Sequence, residues 1–249
     1  MMKQLFILGL FVTFTSAGKF PKDLRQCKAA DTVCLPKVIT EIVQNHPNGH
    51  NGLAIPPLEP LRINRIDIEQ GLNSPIAINL TFKDLDLSGL SKAVVTRVVG
   101  FTADPTTSKY EVYATVPKVS IVGKYKVNGR VLVLPIQGEG NAQLQFDDAN
   151  LVVRYKPKTI EKKGKIYIQT ERFQLDFDTT RLHINLENLF NGDRRLGDNM
   201  NQFLNTNWRD ILNELKPAIT YAVEEILKGI INRIFMKVPY DEVFASEST

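Results

Sequence analysis

The chain has 249 residues, of which 43% are hydrophobic and 23% charged, and a net charge of +4. That length suffices for one large domain or two small ones, and the balance is that of a soluble globular protein. Its Lys and Arg residues are spread along the chain and form no basic stripe, so composition argues against a nucleic-acid partner.

The N-terminal MMKQLFILGLFVTFTSAGK has one early Lys, an apolar run from Leu5 to Phe14, then small residues. That order predicts a secretory signal peptide over 1–18, with an apolar core too short to span a membrane. The remainder, 19–249, reads as one domain of a secreted, extracellular, monomeric protein. Cys27 and Cys34 are the only cysteines, and in an oxidising compartment they are expected to pair. The sequon at Asn79 is a glycosylation candidate, provided that Asn79 faces solvent.

Residues 36–44, PKVITEIVQ, predict a short helix with Val38, Ile39, Ile42 and Val43 on one face. A turn-rich loop and a run of prolines then forbid regular structure until about Leu61. From Ile63 the chain reads as β. Four long strands share one peculiarity: the apolar alternation slips by one residue partway along. Phe82 gives way to Leu85, Val116 to Val119, Phe146 to Ala149, and Ile168 to Phe173. A slip turns all later side chains to the other face unless the strand is bulged. Four slips predict long, bent antiparallel strands in a sheet curled around something.

Near Asp193 the period changes to about 3.6. Leu196, Met200, Phe203, Leu204, Trp208, Ile211, Leu212 and Leu215 make one stripe, which Pro217 kinks or divides. Beyond it a wider apolar face runs from Ile219 through Val223 and Leu227 to Phe235, and Pro239 stops the helix. In NLFNGDRRLGDNMNQFLN, 188–205, Leu189 and Phe190 end a strand, Asn191-Gly192 turns the chain, and Asp193 is the N-cap. Its other Asn and Asp residues are expected on the solvated face of the helix entrance, not around a metal: the spacing is not that of a calcium loop.

Chemistry finds little support. His46 and His50 are separated by Pro47, Asn48 and Gly49, which cannot place both on one helix face; His183 is expected to point outward from a strand. No nucleophile motif occurs, and the GEG at 138–140 reads as a turn or bulge. No metal, cofactor or catalysis is expected.

GLAIPPLEPLRINRIDIEQG (52–71), LTFKDLDLSGLSKAVVTRV (80–98), PIQGEGNAQLQFDDANLVV (135–153), the segment from Asn188 to Ile219 and the terminal KVPYDEVF resemble the insect takeout and juvenile-hormone-binding protein family. The resemblance covers about 20–245, and the early cysteine pair sits where takeout-type proteins carry their disulfide. It implies an α+β super-roll, related to the lipid-binding domains of bactericidal/permeability-increasing proteins, with a curved antiparallel sheet wrapped around a long C-terminal helix. It further implies a carrier with an apolar tunnel for a terpenoid hormone, fatty acid, pheromone or other lipid. The chain lacks cysteines for the second disulfide of juvenile-hormone-binding proteins in the narrow sense, so it resembles the takeout branch. Family roles in feeding, clock output, olfaction and development are too varied to carry over.

The tunnel candidates are Phe203, Trp208, Ile211, Leu215, Ile219, Val223 and Leu227 from the helical region, and Phe101, Phe146, Phe173 and Phe177 from strands. The basic cluster within 154–165 flanks a hairpin turn near Gly164 and is a candidate docking patch for an anionic membrane or a receptor. The alternative reading is a secreted signalling protein with a solid core that acts through its surface.

Overall fold

The computed structural model describes residues 18–71, 74–106 and 109–245. The signal-peptide expectation falls outside the described residues. Helix α1, Cys34–Asn45, begins two residues earlier than expected because the Asp31 carboxylate accepts hydrogen bonds from the Cys34 and Val33 amides, at 2.8 and 3.0 Å. The Cys27–Cys34 disulfide ties the preceding segment to the helix.

Seven antiparallel strands follow: β1 Leu61–Glu69, β2 Ile76–Ser88, β3 Val94–Val99, β4 Tyr110–Val131, β5 Leu134–Lys162, β6 Lys165–Asp178 and β7 Arg181–Leu186. They form one sheet in the order β1-β2-β4-β5-β6; β3 pairs with the other stretch of β4 and β7 with the other stretch of β5. The 22-residue β4 and 29-residue β5 are the spine, with contour lengths of about 75 and 100 Å at the usual rise. A sheet this long and twisted cannot stay flat.

The four slips resolve into two devices. In β2 and β6 they are bulges: the β2–β4 register shifts between Lys83 and Asp86, and the β5–β6 register between Lys156 and Pro157. Asp84 takes φ 50° at the first. A side chain on Gly123 would meet Leu85 there at 2.7 Å, so only glycine lets the bulge close. In β4 and β5 the bulge expectation is corrected. Their register is unbroken, with Val116 opposite Ala149 and Val119 opposite Phe146. Each strand inserts two residues at the same place, Pro117-Lys118 and Asp147-Asp148, so both turn together. Val116, Val119 and Ala149 are all buried in one cluster as a result.

After β7 come two helices, α2 Arg194–Thr206 and α3 Trp208–Phe235. Asp193 caps α2 through the Leu196 amide at 3.0 Å, and Asn191 and Gly192 turn at positive φ, as expected. Three other expectations are corrected. The break falls at Asn207, not Pro217, which lies inside α3. Asn207 ends α2 by donating its amide and its side chain to the Phe203 carbonyl, while its own carbonyl accepts from Ile211 and starts α3. Leu189 and Phe190 lie beyond β7, which ends at Leu186. Leu196 does not belong to the buried stripe; it is 49% exposed.

The roll is closed by α3, which packs against both β1 and β6. On one side the Ser74 hydroxyl donates to Glu214 at 3.3 Å; on the other Lys216 pairs with Asp176 at 2.7 Å. Glu224 and Asn232 accept hydrogen bonds from the β6 amides of Leu175 and Thr170, at 2.7 and 2.8 Å. An open strand edge would leave those donors bare. Asn79 is exposed on β2 and His183 on β7.

Candidate functional site

The inner face of the roll is apolar because every strand turns its alternating Val, Ile, Leu and Phe residues toward the helices. This face, α2 and the start of α3 form a partly open cavity of about 100 Å³. Its lining is wholly apolar: Ile68, Ile78 and Phe82 from β1 and β2, Val127, Val131 and Leu144 from the spine, Ile184 and Leu186 from β7, and Leu204, Ile211, Leu215 and Ile219 from the helices are among it. Such walls offer water no hydrogen-bond partner.

Four tunnel candidates line this cavity: Phe146, Ile211, Leu215 and Ile219. Phe203 packs against the same core from outside the cavity. Trp208 is buried with Leu182 and Leu212, its ring covered by the Arg209 guanidinium at 4.2 Å. Phe177 belongs to that cluster, edge-on to Phe146 at 6.5 Å. Phe101 and Phe173 lie in a separate aromatic cluster with Tyr110, Tyr155 and Phe235 beneath α1. Val223 and Leu227 are half-buried on α3 and belong to neither core. The aliphatic lining of β1, β2 and β7 was missed by picking large rings; its signal was the inward parity of those strands.

The later part of α3 differs from its start. Its buried residues are Trp208, Ile211, Leu212 and Leu215, all in the first eight positions. From Lys216 to Phe235 none is buried, although Ile219, Val223, Ile226, Leu227, Ile230, Ile231 and Ile234 form a continuous stripe. The sheet covers this stripe only partly.

At the aromatic end the Tyr240 hydroxyl donates to the Thr102 carbonyl at 2.6 Å and lies 2.5 Å from the Tyr110 hydroxyl, which is left to donate to it. Burial pushes the Tyr110 hydroxyl up to about 12 despite its bond to Tyr240, raises Tyr240 further, and holds fully enclosed Tyr155 well above the tyrosine range. Folded-state values above the unfolded one mean that the folded chain keeps protons the unfolded chain releases. The contribution of these tyrosines is therefore fully present below about pH 10 and is lost as pH rises toward 12. Denaturation midpoints across that window should fall, with phenolate absorbance rising on unfolding; in Tyr240→Phe the fall should be shallower. A midpoint equally steep in both proteins would remove these tyrosines as the cause.

In the basic cluster Arg154 pairs with Glu111 at 3.7 Å, Lys156 with Glu171 at 2.7 Å, and Lys165 with Glu242. Three of its cations are thus matched by acids. A groove of about 530 Å³ on the outer sheet face, between Arg65, Lys83, Lys124, Lys126 and Glu139, is open and charged and cannot serve an apolar ligand. Among the described residues no three His, Cys, Asp or Glu side chains gather to hold a metal, and no helix is long and apolar enough to cross a membrane.

The family model for haemolymph juvenile hormone binding protein (JHBP) matches residues 5–245. Circadian clock-controlled protein daywake of Drosophila melanogaster is 28% identical over 232 residues, 92% of this chain and 89% of that one. The daywake protein of Drosophila yakuba is 26% identical over the same shares. The crystal structure of Epiphyas postvittana Takeout 1 overlays with a TM-score of 0.76 at 24% identity, covering 90% of this chain and all of the other. That overlay shows the curled sheet and its closing helices to be a shared fold.

Proposed function

The chain belongs to the haemolymph juvenile hormone binding protein family, a family of binding proteins, and from that premise we propose that it is a secreted carrier. It takes a small hydrophobic ligand (a terpenoid, fatty acid, pheromone or other lipid) into the apolar interior and performs no catalysis. The observation that carries this reading is the cavity walled entirely by aliphatic and aromatic side chains between sheet and helices. The half-covered stripe of α3 supports it, because it extends apolar surface along the roll beyond the cavity. A ligand that buries on the order of 400 Å² of apolar surface gains roughly 10 kcal/mol, and immobilisation takes back several kcal/mol. Micromolar to high-nanomolar binding follows, set by shape and length.

The experiment is native mass spectrometry of the protein purified from its own secretory expression, before and after solvent extraction, followed by titration with a fluorescent fatty acid. A mass adduct that extraction removes, and saturable displacement of the probe by terpenoids or fatty acids, is expected. A protein that takes up no apolar compound sinks the reading. The N-terminus of the secreted protein is expected near Gly18 or Lys19.

One observation favours the rival, a signalling protein with a solid core. The cavity is about 100 Å³, whereas ligand pockets usually exceed about 300 Å³. Bulky substitutions at Ile219, which lines the cavity, combined with Ala222 or Val223 on the adjoining stripe of α3, separate the two. Under the carrier reading they block uptake; under the rival they leave the biological activity intact. Docking through the turn at 154–165 to a receptor or an anionic membrane would rest on Lys158 and Lys162, which have no acidic partner among the described residues.

A further inference from the structure

The spine ends in two hairpin turns, one at each end of β5, and they are chemically opposite. The β5–β6 turn is Lys163-Gly164, both at positive φ, with the residue types such turns favour. The β4–β5 turn is Leu132-Val133, closed by the Val131–Leu134 pair. Leu132 is held at φ 54°, where glycine, asparagine or aspartate is the ordinary choice. Val133 is 84% exposed, the highest of any large apolar side chain described, and Leu134 beside it is 36% exposed. Leu132 is half-buried and packs against the main core, which accounts for a leucine there, but folding alone does not explain the bare valine: a polar residue at 133 would close the hairpin equally well. Exposed apolar groups gathered at one tip mark a surface that meets something apolar.

A second element shares the tip. Leu196 in the first turn of α2, 49% exposed, lines a groove of about 530 Å³ together with Leu134, Pro135, Phe190 and Met200. Three arginines adjoin its lining residues in the hairpin and in the first turn of α2. Arg130 sits opposite Pro135 in the hairpin, and Arg194 and Arg195 open α2, although cations at a helix N-terminus oppose its dipole. Among the described residues none of the three has an acidic partner. The nearby acids of α2 are Asp193, occupied as the N-cap, and exposed Asp198. The groove also reaches inward: Ile136 lines both it and the cavity, and Met200 lies one helical turn from the cavity residue Leu204.

We propose that this tip docks on an anionic lipid surface. Val133, Leu134 and Leu196 enter the acyl boundary, and Arg130, Arg194 and Arg195 meet the phosphate and carboxylate headgroups. Charge complementarity selects this occupant: an apolar tip with three arginines near it that no acid pairs fits an anionic membrane, where each basic residue near the surface adds to binding. The apolar path through Ile136 and Met200 then gives a ligand a way between bilayer and cavity without crossing water; this last step rests on the carrier reading, the docking does not.

The test is sedimentation of the intact secreted protein with vesicles of phosphatidylcholine alone or mixed with phosphatidylserine. Binding to the mixed vesicles, weakened by salt, is expected. Val133→Asp should lower the partition coefficient roughly tenfold or more at an unchanged melting temperature, since the side chain has almost no neighbours to lose. Arg194→Gln with Arg195→Gln should remove the preference for phosphatidylserine; if Lys158→Gln with Lys162→Gln, at the other end of β5, removes it instead, the membrane contact is the 154–165 turn and the proposal falls. Failure to sediment with either vesicle, or Val133→Asp binding as well as the parent, overturns the proposal. So does a dimer dissolved by Val133→Asp in a protein that ignores vesicles, which would assign the patch to a second copy. A chain that docks on vesicles yet takes up no apolar compound keeps the docking and loses the carrier.

Discussion

Asn205→Ala should cost the fold about 2–4 kcal/mol and open one edge of the roll. The Asn205 side chain accepts the Ile184 amide at 2.9 Å and donates to the Ile184 carbonyl at 2.6 Å and the Asn201 carbonyl at 2.7 Å. Asn201, one turn earlier, does the same for Leu186, accepting and donating at 2.9 Å. The spacing explains why. Residues four apart on a helix advance about 6 Å, and residues two apart on a strand advance about 6.8 Å. Two asparagines on one helical face can therefore stand in for a missing neighbouring strand, closing the outer edge of β7. Removing one leaves an amide and a carbonyl in a site that water reaches poorly, and that penalty exceeds the ordinary value of the bonds themselves. Urea unfolding should show a lower midpoint at an unchanged slope, and the Ile184 amide should exchange faster. Asn199→Ala, on the exposed side of the same helix, should stay within about 0.5 kcal/mol of the parent. Equal effects at 199 and 205 would show that the edge does not need its clip.

This clip also marks where the sequence stopped being readable. The period of α2 separates apolar from polar positions, and Asn201 and Asn205 fall on the polar side; nothing local says that their side faces a strand. They were assigned to solvent, and the structure corrects that. Their signal was two poor helix formers four residues apart beside a buried stripe, which is costly unless their amides are used. The slips were legible in the same limited way. Alternation shows where a strand bends, but whether it bulges depends on its neighbour: Phe82 to Leu85 faces an uninterrupted partner and bulges, while Val116 to Val119 faces Phe146 to Ala149 and does not. The helix break was misplaced because proline is the louder signal than asparagine. Pro217 sits in α3 beyond its buried first turns, where the cost of a missing amide falls on a part of the helix already half open.

The cavity was the least legible feature, and the prediction that probes it is Ile211→Ala. Ile211 is 4% exposed, belongs to the main core and lines the cavity from α3. Truncation should destabilise the protein by about 2–5 kcal/mol, since both the buried methylenes and the packing around them are lost. In a solid-core protein that is the whole effect. In a carrier the lost volume joins an existing apolar void of about 100 Å³, so ligand capacity should rise as stability falls. Longer or branched apolar probes should bind more tightly to Ile211→Ala than to the parent, and saturating ligand should restore much of the lost melting temperature, because a ligand that binds only the folded state stabilises it by mass action. Ile219→Phe, which fills the same space from the next two turns of α3, should do the reverse: probe binding falls while the fold keeps its stability to within about 1–3 kcal/mol. The opposite signs decide between the two readings. Steric filling and cavity enlargement move ligand uptake in contrary directions only if the ligand occupies this space. If both substitutions merely destabilise, and neither alters uptake of any probe, the cavity is packing imperfection, and ligand binding, where it occurs, belongs to the half-covered stripe farther along α3.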